Sequence, residues 1–339
     1  MRAFICGLAG PELSDEERRF LREQLPWGVI LFARNLQNAD QIKALTADIR
    51  AALDREHAPI LIDQEGGRVQ RIGEPTCRAY PAARTFGDLY QRDPILGVEA
   101  ARLGAKLIGL DLAALGITVN CMPVLDIPTK QSDAAIGDRA YGVDADTVLT
   151  LGAAAADGLM AAGIVPVMKH MPGHGRAEVD SHKKLPIIKT ELETLEATDF
   201  KPFRLWARRI PAGMTAHVIL TAVDDKRPAT FSDKVINGII RGRIGFDGLL
   251  MSDDISMGAL KGPVGARAEK AIHAGCDLVL HCSGDGDEMT AVAGAVPELT
   301  GDALRRAEAV FEAISRRPAR DRKFLHARFD DILARVEAA

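Results

Sequence analysis

Aromatic residues make up only 5% of this 339-residue chain, with two tryptophans, and its five cysteines are odd in number and scattered. Cys6, Cys77, Cys121, Cys276 and Cys282 form no C-x-x-C pair and no zinc-knuckle spacing, which excludes a disulfide scaffold and a cysteine-built metal centre. Four of them (all but Cys77) sit in or beside apolar strand-like runs, so buried free thiols are expected. No apolar run reaches the roughly 18 residues of a membrane span. The N-terminus meets Pro11 and Asp15-Glu16-Glu17 before a signal-length apolar core develops, so a cytoplasmic protein without a membrane partner is expected. An excess of either charge is missing too. A net charge of -4 argues against a nucleic-acid partner, and the basic cluster Arg316, Arg317, Arg320, Arg322 and Lys323 reads as a solvated helix face. There is no Walker pattern, no G-x-G-x-x-G after a strand, no repeat and no Ser/Gly/Pro-rich linker.

What is present is a hydrophobic content of 47%, enough for a large core, in a strict alternation of short apolar runs and helical stretches. Strands are expected at Phe4 to Leu8, Gly28 to Phe32, Pro59 to Ile62, Ile117 through Asp126, Ile164 to Met168, Gly213 to Val218, Gly248 to Ser252 and Cys276 to His281. Ser14-Asp15-Glu16-Glu17 carries a capping-box pattern and opens a helix. Further helices are expected at about 40–55, 94–115 and 144–162, with C-terminal helices over about 301–339. Eight strands alternating with helices predict a single-domain (β/α)8 barrel of the TIM type spanning residues 1–339. A doubly wound sheet shares the alternation. The barrel is favoured because Asp63, Asp126, Lys169-His170, His217, Asp253-Asp254 and His281 all fall at strand C-terminal ends, which a barrel gathers around one mouth.

The densest chemistry is Lys169-His170-Met171-Pro172-Gly173-His174-Gly175, followed by Asp180-Ser181-His182, which holds three of the eight histidines. Zinc is the first thought, but Pro172, Gly173 and Gly175 oppose the helical turn that would align His170 with His174. Asp180-x-His182 lets a carboxylate orient an imidazole for proton transfer, although such pairs in loops are commonly structural. Asp253-Asp254 ends an apolar strand. Strand alternation should aim only one of the two into the mouth, and a helix-capping Asp is the ordinary alternative. Asp63, Glu65, Arg68 and Arg71 cluster after the third strand, where Gly66-Gly67 permits a sharp turn. Asp138-Arg139 is either a surface turn or an arginine reaching into the mouth. Residue chemistry alone supports a hydrolase-like barrel with Asp, His, Lys and Arg at its mouth.

In combination these motifs resemble glycoside hydrolase family 3, in its β-N-acetylglucosaminidase branch. The resemblance is carried by Lys169 to Gly175 with Asp180-Ser181-His182, Ile62 to Arg71, Asn120 to Asp126, Thr215 to Val218 and Gly245 to Met257. It runs in family order over about residues 28–282, and Met171 and Ile255 are its small departures. It implies an exo-acting, retaining enzyme that releases terminal non-reducing N-acetylglucosamine, with muropeptides of peptidoglycan recycling as its substrates. Asp253 would be the nucleophile, His182 the acid/base held by Asp180, and Asp63, Arg71, Arg139, Lys169 and His170 the sugar-binding residues. No metal and no cofactor are implied. The partner expected is a small carbohydrate, and a monomer is the expected state. A metal-dependent hydrolase using His170, His174 and His182, and a phosphorolytic variant, are the alternatives. The loop bearing Asp180 and His182 is expected to move, bringing His182 to the glycosidic oxygen when substrate binds, with His174 bracing the turn.

Overall fold

A computed structural model describes residues 1–314 and 322–337. Arg316, Arg317 and Arg320 of the basic cluster lie outside the described residues, as do the side chains of Arg322 and Lys323. Eight strands close a barrel: β1 (Arg2–Cys6), β2 (Pro26–Leu31), β3 (Ile60–Ile62), β4 (Val119–Asn120), β5 (Val165–Met171), β6 (Ala212–Thr215), β7 (Leu249–Asp254) and β8 (Leu278–His281). Each pairs in parallel with its sequence neighbours, and β8 returns to β1. This is the (β/α)8 barrel expected.

The strands form where the apolar runs are because both faces are covered. Phe4, Ile5, Val29, Leu31, Ile60, Leu61 and Ile62 are wholly buried. Parallel strands packed on both sides read as continuous apolar runs, and each such side chain stabilises the fold by about 1.5–3 kcal/mol. The helix Asp15–Gln24 starts on the capping box: Glu17 N–H donates to the Ser14 hydroxyl, and Ser14 N–H donates to the Glu17 carboxylate. Further helices run over Ala39–Leu53, Pro94–Ala114 and Ala145–Ala161, near the expected bounds. Gly301–Ile314 and Arg322–Glu337 close the described chain.

The fourth strand is shorter than expected. Pro123 has no N–H for the ladder, and after Asn120 the chain pairs only through irregular bonds, such as Leu125 N–H to Lys169 C=O. The fifth runs further than expected, so Lys169 and His170 lie within β5 rather than beyond it. Against β6, β5 gains one residue between Met168 and Met171; against β8, β7 gains one between Met251 and Asp254. Such bulges re-aim side chains that strict alternation would send outward. Both occur at the C-terminal ends of their strands.

The turn after β3 is built by two buried amides. Asn120 Oδ1 accepts from Gln64 N–H at 3.0 Å, and Asn120 Nδ2 donates to Gln64 C=O at 2.9 Å. The Gln64 side chain in turn accepts from Arg71 N–H and Ile72 N–H, and donates to Ile72 C=O. Positive φ at Gly66 and Gly67 completes the reversal, which returns Arg71 to Asp63. Asn120→Ala should therefore leave both backbone groups of Gln64 without side-chain partners and destabilise the protein by about 1–3 kcal/mol. Urea unfolding checks this, and an unchanged midpoint would contradict it.

Candidate active site

A cavity of about 420 Å³ opens at the mouth formed by the C-terminal strand ends. Asp63, Arg71, Arg139, Lys169, His170, Asp180, His182 and Asp253 all line it, with Asp254, His174, Ser181, Met214, Met257 and Cys282 among their neighbours. The eight residues singled out in the sequence thus meet around one space, although they come from five separate segments.

One wall is a buried ion-pair cluster. Lys169, whose side chain is 2% exposed, donates to Asp63 Oδ1 at 2.8 Å and lies 2.7 Å from Glu65 Oε1. Arg139 grips Glu65 with two bonds of 2.8 Å, and Arg71 reaches Asp63 at 3.4 Å. Burial alone would raise both carboxyls, but Lys169 and Arg71 hold Asp63 below its ordinary value, and Arg139 and Lys169 do the same for Glu65. Burial likewise opposes the charge on Lys169, yet Asp63 and Glu65 raise its pKa. These shifts favour the charged forms of Asp63, Glu65, Arg139 and Lys169. Arg71 Nε is buried without a hydrogen-bond partner, a donor held ready at the cavity wall. Arg139 reaches inward and is not an ordinary surface turn. The exposed contact with Asp138 is made instead by Arg68, which also bonds the carbonyls of Ala134 to Ile136.

A second wall is organised by Asp126, which is fully buried. Its Oδ2 lies 2.6 Å from His170 Nδ1, and its Oδ1 accepts from the His174 N–H at 2.6 Å. Burial pushes the Asp126 carboxyl up, but His170 outweighs this and keeps it low. With Nδ1 engaged, His170 keeps Nε2 for the cavity. His174 Nε2 meets the Ser181 hydroxyl at 2.9 Å, and His182 Nδ1 lies 2.7 Å from Asp180 Oδ1. The three histidines are committed to three different partners. Among the described residues no three His, Cys, Asp or Glu side chains are placed to hold a metal ion.

Asp253 and Asp254 both line the cavity, contrary to the expectation from alternation, and the bulge in β7 is the reason. Their roles separate by hydrogen bonding. Asp254 accepts from Ser256 N–H, Ser256 Oγ and Cys282 N–H, so it braces the turn. Among the described residues Asp253 accepts only from the Asp254 N–H, at 2.8 Å. Burial would raise the Asp253 carboxyl, but His217, His170 and the Asp254 N–H hold it below the ordinary value, so it is anionic at neutral pH. His217 lies between Thr230 Oγ1 (2.7 Å) and the Asp254 C=O (2.9 Å), fixing the end of β7. The Cys282 thiol beside them is pushed far up by burial and by Asp254 and Asp63.

Sequence reasoning gave no role to Glu65, Asp126, Ser181 or His217. All four lie inside the quoted motifs; Asp126 and His217 also stand at strand C-terminal ends, and Glu65 in the charged cluster after the third strand. Their partners are remote in sequence, as with Glu65 and Arg139, 74 positions apart.

The His174 imidazole is lowered to about 4 from 6.5 by burial, ahead of an opposing Asp126. Between those values the unfolded chain binds the proton and the folded chain does not. Stability is therefore lost as pH falls from 6.5 towards 4, by up to about 3 kcal/mol from this group. His174→Gln should flatten that part of the stability-against-pH curve. Parallel curves for the two proteins in urea titrations would contradict it.

The description "Glycosyl hydrolase family 3 N terminal domain" matches residues 5–315. A beta-hexosaminidase of Bordetella avium is 38% identical over 315 residues, covering 92% of this chain and 86% of the relative. One of Alkalilimnicola ehrlichii is 42% identical over 282 residues, covering 82% and 80%. The crystal structure of NagZ from Neisseria gonorrhoeae in complex with N-trifluoroacetyl-D-glucosamine superposes with a TM-score of 0.87 at 33% identity, covering 98% of this chain and 97% of that one. The chain belongs to glycosyl hydrolase family 3.

Proposed function

We propose that the protein is an exo-acting β-N-acetylglucosaminidase that removes terminal non-reducing N-acetylglucosamine with retention of configuration. The observation that carries the reading is the convergence on one cavity of an anionic, lightly bonded Asp253, an Asp180-His182 pair, and a charged wall rich in hydrogen-bond donors. The names of the relatives support the substrate class: beta-hexosaminidase for those matched in sequence, and an N-acylated glucosamine derivative in the matched structure.

In the first step an Asp253 oxygen bonds to the anomeric carbon as the bond to the leaving oxygen breaks. His182 Nε2 gives that oxygen its proton. In the second step water attacks the same carbon, His182 takes the water proton, and Asp253 leaves. Two inversions retain the configuration. Asp180 at Nδ1 holds the ring so that Nε2 carries the exchangeable proton, and it stabilises the imidazolium. The Asp180 carboxyl itself is kept low against its partial burial by the backbone and ring of His182, so it stays an acceptor.

Asp63, Arg71, Arg139, Lys169 and His170 grip the sugar. Charged bonds to hydroxyls are strong and directional, and the orphaned Arg71 Nε gains a partner when a hydroxyl arrives. The ion pairs keep the wall from collapsing onto an empty site.

The barrel and its C-terminal helices act as one catalytic domain, and a monomer suffices because every group named comes from one chain. The substrates proposed are muropeptides of peptidoglycan recycling, met in the cytoplasm. Cys6, Cys121, Cys276 and Cys282 are buried free thiols, which suits a reducing compartment. Among the described residues no helix is long and apolar enough to cross a membrane.

Asp253→Ala should abolish turnover of an aryl N-acetyl-β-glucosaminide. His182→Ala should lower kcat/KM on poor leaving groups by about 10²–10⁴-fold. Both variants should keep the wild-type circular dichroism spectrum, and full activity in either one refutes its assigned role. Thorough chelation should leave turnover unchanged, and product analysis with and without phosphate should find free N-acetylglucosamine in both buffers. Activity lost on chelation would favour a metal-dependent hydrolase, and a sugar 1-phosphate would favour phosphorolysis.

A further inference from the structure

Asp180 and His182 stand on a loop segment, residues 180–182, whose own side-chain grip on the barrel is slight. The His182 side chain is 65% exposed, and the side-chain hydrogen bonds of both residues are to each other. Two backbone bonds tie the segment to the chain that follows β7: Gly258 N–H to His182 C=O and Ala259 N–H to Ser181 C=O. The approach there is close enough that a Cβ at Gly258 would sit 2.7 Å from the His182 carbonyl oxygen. Ser181 lies between the pair and turns the other way. It is 4% exposed, and its hydroxyl meets His174 Nε2.

His174 is itself fixed. It is buried, its N–H is held by the carboxylate that orients His170, and its ring lies 5.6 Å from the His170 ring. An unbroken series of bonds therefore runs from His170 through Asp126 and His174 to Ser181, and so to the residues on either side of Ser181.

We infer that His174 is a positioning residue: through Ser181 it latches the loop so that the Asp180-His182 pair stands at the correct height over Asp253. This rests on the reading of His182 as acid/base. The Ser181–His174 bond is the one side-chain hydrogen bond, among the described residues, from the 180–182 segment to the barrel. Without it, among the described residues, the 180–182 segment keeps only its two backbone bonds to the 258–259 segment. Loss of the Ser181 hydroxyl leaves the nucleophile and the sugar-gripping wall untouched.

The consequence is selective. Proton donation matters most for leaving groups that depart poorly as anions, and little for those that depart well. Ser181→Ala and His174→Ala should each lower kcat/KM for an alkyl N-acetyl-β-glucosaminide by about 10- to 100-fold, the cost of misplacing a catalytic group by about 1 Å. For the 2,4-dinitrophenyl glycoside, kcat/KM of Ser181→Ala should stay within about threefold of wild type. Its kcat and KM should fall together, because the glycosyl-enzyme accumulates when water is poorly deprotonated. His174→Gln, which keeps an amide N–H near the position of Nε2, should recover part of the loss.

Thermal unfolding identifies any variant that fails to fold, and Ser181→Ala removes a single oxygen should His174→Ala be lost. Equal losses on both substrates would mark a structural role and overturn the inference. No loss on the alkyl substrate would overturn it as well. Asp253→Ala, measured alongside, should lose both substrates; if it keeps them, the proposed function fails rather than the latch.

Discussion

One ammonium group holds the mouth of this barrel together. Lys169 comes from β5, yet it bonds carboxylates at the end of β3 and in the turn after it, and through Glu65 it is tied to Arg139 in a loop beyond β4. Burying charged groups such as Lys169 and Glu65 is expensive, and clusters of this kind rarely repay the cost in stability. Removing Lys169 alone would leave two carboxylates facing each other with fewer counter-charges, a loss of about 3–5 kcal/mol for a broken buried pair. The cluster makes sense as a surface of fixed charges whose geometry is set before any ligand arrives, so that little reorganisation accompanies binding.

That fixed surface needs side chains at successive positions to face the same way, which a regular strand does not allow. The extra residue in β5 and the extra residue in β7 solve the problem at the two strands that carry most of the chemistry. Lys169 and His170 line the cavity together, as do Asp253 and Asp254. Division of labour within each pair then follows from second partners. His170 is aligned by Asp126, and Asp254 is absorbed by Ser256 and Cys282, which leaves Asp253 almost bare.

Much of the architecture was legible in the sequence because strands covered on both faces announce themselves as apolar runs, and all eight are found. The helix start at Ser14 was legible for a local reason, its capping box. Hidden features depend on distant neighbours. No local pattern marks the register shifts of β5 and β7, since each exists only relative to an adjacent strand. The wide-turned π-helix over Lys234–Arg243 looks like any amphipathic helix in sequence, and the helix Ala83–Arg92 was not foreseen. At the site, the eight assigned residues were reached through motif resemblance; the Asp180-x-His182 spacing taken alone is commonplace. The pairs Glu65–Arg139 and Asp126–His170 bridge long separations, and only the folded barrel reveals them.

The sulfur of Cys282 faces the same space in which a sugar would pass through an electron-poor state. Thiolates are better nucleophiles than carboxylates, so a reactive sulfur there would capture the sugar in a dead-end thioglycoside. Burial and the ring of carboxylates forbid that outcome by keeping the sulfur protonated. The negative field that would favour the oxocarbenium-like transition state of the proposed reaction also holds this thiol in its protonated form. Chemoselectivity in this pocket is thus a by-product of its electrostatics, and it needs no steric barrier.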